Sequence, residues 1–186
     1  MKINLFTNNQ FKIETAKLAF TPFKIEVFPI TLEIPEIQAD NNLSIARHSA
    51  LAAAKLINEP VAREDHGFYL NAFPGWPGQY MAHTEQKIPA KDILNLLNEK
   101  DRTGYFEMAL AYASPNGEIS QFSFQLPCTI AREIHSGSKD FGWDSIICLK
   151  DETRTLSDYP QEERVHFFTQ NYVELAKEIT KGEIEA

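Results

Sequence analysis

Ile3-Asn4-Leu5-Phe6 followed by Thr7-Asn8-Asn9 decides the fold class of this chain. The first four residues are a short apolar run of the kind that forms a buried strand. The next three are polar. Ile13, Ala16, Lys17 and Phe20 then recur at helical spacing. A strand, a turn ending in an Asn cap and a helix make the start of an α/β unit. Pro22 ends that helix, and Ile25-Glu26-Val27-Phe28 reads as a second short strand.

Working outward, residues 31–42 read as loop. Leu43, Ala46, Ala50, Ala53, Ala54 and Ile57 form one helical stripe, which predicts a helix over about Ser44–Ile57 closed by Pro60. Val61-Ala62-Arg63 reads as a strand leading into Glu64-Asp65-His66-Gly67. Ile93, Leu94 and Leu97 suggest a short helix after Pro89. Residues 105–113 and 119–124 flank Pro115-Asn116-Gly117, a tight-turn signal, and so form an antiparallel hairpin. Ser145 to Leu149 reads as another strand. A last helix is expected over about Glu162–Ile179, with Val165, Phe168, Tyr172, Leu175 and Ile179 on one face. The whole predicts a mixed α/β fold: an elongated, partly antiparallel sheet flanked by helices.

The 186 residues suit one domain spanning 1–186. A composition 43% hydrophobic and 11% aromatic excludes a wholly disordered chain. No apolar run reaches the length of a membrane span, and the N-terminus is too short for a signal-peptide core. The expectation is therefore no membrane association. Eighteen basic against 26 acidic residues give a net charge of −8, which argues against a nucleic-acid surface. It leaves room for a small phosphorylated ligand whose charge a local cation neutralises. Cys128 and Cys148 are too few and too far apart for a metal site or a secreted disulfide framework, so they read as thiols in a reducing cytoplasm.

Three stretches could carry chemistry. Thr7-Asn8-Asn9-Gln10-Phe11-Lys12 places a helix N-terminus and one Lys where a phosphate could sit, or is simply a capped turn with a solvated Lys. Glu64-Asp65, at the end of the predicted strand, puts two adjacent carboxylates where a hard cation and an activated water could be held, or is a charged surface turn. Phe141-Gly142-Trp143-Asp144 could stack a base and bond its edge, or tuck its aromatics into the core. Glu36 by itself is one more solvated acid. The five His show no zinc-ligand pairing.

Taken in order, these stretches resemble the inosine triphosphate pyrophosphatase family, from Ile3 to about Leu175. Thr7 to Lys12 resembles its Thr-Gly-Asn-x-x-Lys signature, with Asn8 in place of Gly. Leu32 to Gln38, with Pro35-Glu36, is similar to its Leu-Pro-Glu-x-Gln segment. Val61 to Phe68 is similar to its acidic catalytic strand, with His66 where Ser or Thr is usual. Gly75-Trp76-Pro77-Gly78-Gln79-Tyr80, Phe141-Gly142-Trp143-Asp144 and Thr155-Leu156-Ser157-Asp158-Tyr159-Pro160 resemble three further family segments.

The resemblance implies two lobes with a central nucleotide cleft, a homodimer, and Mg²⁺ as cofactor. It implies hydrolysis of aberrant purine nucleoside triphosphates such as ITP, dITP and XTP to the monophosphate and pyrophosphate. The alternatives are the same chemistry on another base, or a nucleotide binder without turnover. Thr7, Asn9 and Lys12 would hold phosphates. Glu36 and Asp65, with Glu64, would hold metal, and Asp65 with Glu64 would serve the attacking water. Phe141 and Trp143 would pack on the base, with Asp144 at its edge, and Arg164 would stand near the position of the family's second cleft Lys, as a substrate-binding cation. The family's Ser-His-Arg, which reads the purine 6-oxo group, is absent: Phe168-Thr169-Gln170-Asn171 stands there, and the Gln170 or Asn171 amide is the candidate replacement.

Overall fold

The computed structural model describes residues 1–135 and 142–184. Its strands are β1 (Lys2–Phe6), β2 (Glu26–Ile30), β3 (Val61–Leu70), β4 (Pro77–Gly78), β5 (Thr103–Ala113), β6 (Ile119–Ile130) and β7 (Ile147–Leu149). They bond into one mixed sheet in the order β2-β1-β3-β5-β6-β7, with β4 on β3. The helices are α1 (Gln10–Phe20), α2 (Asn42–Ile57), α3 (Met81–Glu85), α4 (Ala90–Leu96), α5 (Gln161–Arg164) and α6 (Gln170–Ile184). The mixed α/β class read from the sequence is the class observed.

The chain divides into two compact units, and β3, β5 and β6 each contribute residues to both. The first unit contains residues 1–65, 108–124 and 165–186. Here β1 runs parallel to β2 and to β3, with Leu5 opposite Ala62. Strand alternation sorts its side chains into two cores. Ile3, Leu5, Val27, Ala62 and Leu110 pack with Ala16 and Phe20 of α1 and with Tyr172 and Leu175 of α6. Phe6, Val61, Ala111 and Ala113 pack with Ala46, Ala50, Ala53 and Ala54 of α2. The alanine stripe has no bulk to hold α2 away from the strands. Asn41 caps α2 by accepting from Ser44 N–H at 2.8 Å, and Asn58 ends it in the left-handed conformation, two residues before Pro60.

The second unit contains residues 66–107 and 125–164. Phe68 of β3, Phe106 of β5 and Trp143 meet in its core, at ring separations of 5.0 and 6.1 Å from Phe68. Gly104 is required where β5 passes β3: a Cβ there would lie 2.4 Å from the Tyr69 carbonyl oxygen.

Three sequence expectations are corrected. The strand at Val61 does not end at Arg63. It continues to Leu70, so Glu64 and Asp65 are mid-strand residues. The expected helix over 162–179 is interrupted: α5 is followed by a 3₁₀ turn at Val165–Phe168 before α6 begins. Both helix types put residues three apart on one face, so the apolar stripe runs through the break and hides it. The expected strand from Ser145 is shorter, since residues 142–145 form a 3₁₀ turn and β7 starts at Ile147.

Candidate active site

Alternation along β3 separates the two acids. Glu64 points to the α1 and α6 side, where it is 1% exposed and its Oε2 accepts the Tyr172 hydroxyl at 2.9 Å. Asp65 points the other way, half-buried, and its Oδ2 accepts Asn42 Nδ2 at 2.7 Å. Asn42 is the fully buried first residue of α2, so the helix start fixes the carboxylate. The paired-ligand reading of Glu64-Asp65 is corrected on this point: strand geometry sends their carboxylates to opposite faces.

The β1–α1 turn lies level with them. Thr7 Oγ1 accepts the Asn9 N–H at 3.1 Å, and Asn9 Oδ1 accepts the N–H groups of Phe11 at 2.9 Å and Lys12 at 3.4 Å. Lys12 is not a solvated cation. It is half-buried, and its Nζ donates to the main-chain carbonyl of Glu64 at 2.9 Å. Burial pushes its pKa below the usual lysine value, against the pull of Glu64 and Asp65, which favour the charged form. Lys12 thus ties the Thr7–Asn9 turn to the Glu64 main chain, and Asp65 is near enough for its charge to act on Lys12, while the Glu64 carboxylate stays on the other face.

Glu36 is exposed and pairs with Arg63 Nη2 at 3.2 Å. Arg63 also donates from Nη1 to the Phe6 carbonyl at 3.1 Å and lies over the Phe6 ring. Arg63, Asn42 and Tyr172 are site residues that the sequence reading missed. Asn42 and Tyr172 are 23 and 108 positions away from the acids they bond, and no local motif marks them. Arg63 stands within the acidic stretch, but its role depends on a partner 27 residues earlier.

The second unit holds Trp143, Asp144 and Arg164. Phe141 lies outside the described residues. Trp143 is wholly buried. Its Nε1 donates to the Ile88 carbonyl at 2.8 Å, and its ring packs on Phe68 and Trp76. A ring with no exposed face does not stack on a base in this conformation, so the base-packing expectation for Trp143 gives way to the core reading. Glu85 accepts the Trp143 N–H at 2.5 Å. Gly142 leaves room for that contact: its φ is +48°, and a Cβ would lie 2.0 Å from Glu85 Oε1. Asp144 and Arg164 are brought together as an ion pair between Oδ2 and Nη2. Burial raises the Asp144 pKa above the ordinary carboxyl value, with Arg164 opposing and Glu85 reinforcing.

In the stretch replacing Ser-His-Arg, Phe168 is buried against Phe11, and Asn171 is buried with Nδ2 donating to the Met108 carbonyl at 2.8 Å. Asn171 is thus committed to holding α6 on β5. Gln170 is exposed and donates to Glu174 at 3.2 Å, within its own helix.

Among the described residues, no group of three His, Cys, Asp or Glu forms a ready metal cage. Mg²⁺ does not need one: it is commonly held by one or two carboxylates together with substrate phosphates. Asp65 and Glu36 offer oxygen donors of that type, whereas the Glu64 carboxylate is engaged on the other face.

Residues 3–168 match the family model described as the Ham1 family. A dITP/XTP pyrophosphatase from Thermococcus kodakarensis is 33% identical over 165 residues, covering 88% of each chain. A HAM1 protein structure from Coxiella burnetii superposes with a TM-score of 0.79 at 20% identity, covering 97% of this chain and 99% of that one, a likeness of fold. The Staphylococcus aureus Ham1 protein gives a TM-score of 0.76 at 25% identity, covering 98% and 100%.

Proposed function

The chain belongs to the Ham1 family, and on that premise we propose that it hydrolyses non-standard purine nucleoside triphosphates, dITP and XTP among them, to the monophosphate and pyrophosphate. The observation that carries this reading is the level placement of Lys12, the Thr7–Asn9 turn and Asp65. One cation and one anchored carboxylate stand beside a capped helix start, an arrangement suited to a polyphosphate and the water that attacks it.

In this reading water attacks the α-phosphorus, the bond to the bridging oxygen breaks, and pyrophosphate leaves. Lys12 binds the phosphates and, held by the Glu64 carbonyl, meets them already oriented. Asp65 orients the water and draws its proton, while Asn42 fixes which carboxylate oxygen remains available. Glu64 holds its place through Tyr172 and favours the charged form of Lys12. Asp65 and Glu36 would hold Mg²⁺, which supplies positive charge against the phosphates when bound. Asp144 and Arg164, an ion pair within the second unit, are the candidate nucleoside contacts.

The reading extends to a homodimer in the cytoplasm. The buried free thiols of Cys128 and Cys148 support a reducing compartment. No helix among the described residues is long and apolar enough to cross a membrane. The test is a panel of nucleoside triphosphates (ITP, dITP, XTP, ATP, GTP and pyrimidines) assayed for pyrophosphate release with Mg²⁺ and with excess chelator. Release from the non-standard purines that is lost in chelator is the expected result. Release from none of the panel overturns the reading.

A further inference from the structure

We propose that Arg63 is a phosphate-binding residue held in reserve by Glu36, an inference that rests on the reading of the site given above. A pocket of about 190 Å³ opens beside the β1–α1 turn, lined by Thr7, Asn8, Glu36, Ser49 and Arg63 among others. It is too small for a whole nucleotide and suits a phosphate or pyrophosphate group. Arg63 is its cation. The side chain is only 18% exposed and is fixed at two points, by the Phe6 carbonyl and by the Phe6 ring, whose centroid lies 5.1 Å from Cζ.

A guanidinium has five N–H groups. One reaches Phe6 and one reaches Glu36, so three are uncommitted, and Nε is buried without a partner. Nε is shut away from the pocket, whereas the two spare Nη donors belong to a side chain that lines it, where a phosphate can take the place of water. A planar fork with spare donors matches the oxygens of a phosphate.

Glu36 is the weaker end of its pair. Its carboxylate is 65% exposed, it lies in the loop between β2 and α2, and the bond to Arg63 is long at 3.2 Å. A polyphosphate entering the pocket brings more negative charge than one carboxylate and displaces Glu36 from Arg63. That frees Glu36 to move towards the cation that accompanies the phosphates. Arg63 thus couples phosphate arrival to release of Glu36, and in the empty site it prevents two unpaired charges from facing each other.

The test is pyrophosphate binding to the full-length protein by calorimetry in excess chelator, where metal plays no part. We expect Arg63→Ala to weaken binding at least tenfold and Arg63→Lys to recover part of the loss. Glu36→Gln, which removes the competing carboxylate, should tighten binding. Should Arg63→Ala fail to fold, Arg63→Gln retains a donor for the Phe6 carbonyl without the charge, and the same weakening is expected. Unchanged binding in the folded Arg63 variants, no gain from Glu36→Gln, or no binding by the wild type overturns the proposal. The outcomes separate from those of the proposed function. A protein that binds pyrophosphate through Arg63 yet releases none from any triphosphate refutes the hydrolase and leaves Arg63 in place. Turnover with Arg63-independent pyrophosphate binding does the reverse.

Discussion

Glu64 and Tyr172, 108 residues apart, share a buried hydrogen bond of 2.9 Å between the Tyr hydroxyl and Oε2. The bond ties β3 to α6, and burial beside this carboxylate raises the Tyr172 pKa well above the usual phenol value. Tyr172→Phe leaves the Glu64 carboxylate short of a donor in a buried setting. Urea denaturation should show a loss of about 1–3 kcal/mol. No loss would mean that the bond contributes nothing to holding α6.

Lys12→Ala should weaken triphosphate binding much more than nucleoside binding. A half-buried ammonium oriented by the Glu64 carbonyl interacts with phosphate charge and has no part in holding a base. Equal losses for ITP and inosine, measured by calorimetry, would remove Lys12 from the phosphate site.

The fold was legible where one period governed a whole element. The strand–turn–helix start and the alanine stripe of α2 were read from the residues because packing and propensity agree there. β3 was read too short. Its polar middle, Arg63 to His66, resembles a turn, whereas Phe68, Tyr69 and Leu70 return to the core. Within the candidate site, Lys12 and Asp65 are marked by spacing and resemblance. Their supports were not: the orientation of Asp65 depends on Asn42 and that of Glu64 on Tyr172, and such pairings exist only once the chain is folded. Trp143 could be read as a stacking ring or as core from sequence alone, and the Ile88 carbonyl and the rings of Phe68 and Trp76 decide for the core.

Base selectivity should be relaxed. Of the two amides standing in for Ser-His-Arg, Asn171 is committed to the Met108 carbonyl, and Gln170 is exposed on α6. Neither supplies the cationic donor that favours a 6-oxo purine over a 6-amino one. The ITP-to-ATP ratio of kcat/KM should fall below a hundredfold, about 2.7 kcal/mol. A larger preference would show that other residues read the 6-oxo group.

Asp158 should make the stability of the fold depend on pH. Burial acts to raise its pKa, but bonds from His135 Nδ1 at 2.9 Å, Thr155 N–H at 2.7 Å and the Thr155 hydroxyl at 3.0 Å outweigh it, and the net shift is downward. A depressed carboxyl pKa stabilises the fold above the unfolded value, about 3.9, and the gain is lost as pH falls through the folded value. Asp158→Asn should therefore lower Tm at neutral pH, and the difference from wild type should shrink below about pH 4. A difference that stays constant down to pH 2.5 would show that the charge is not the source.

The two acids of β3 should separate in function as they do in space. Asp65→Asn and Glu64→Gln are isosteric, and each removes one charge. The decisive measurement is pyrophosphate release from ITP and XTP with Mg²⁺ by wild type and both variants, with folding checked by circular dichroism. The expected outcome is turnover by wild type, its near abolition in Asp65→Asn, at least a thousandfold or about 4 kcal/mol, and a far smaller loss in Glu64→Gln. A folded Asp65→Asn protein that retains most of its activity, or equal losses in the two variants, would contradict it.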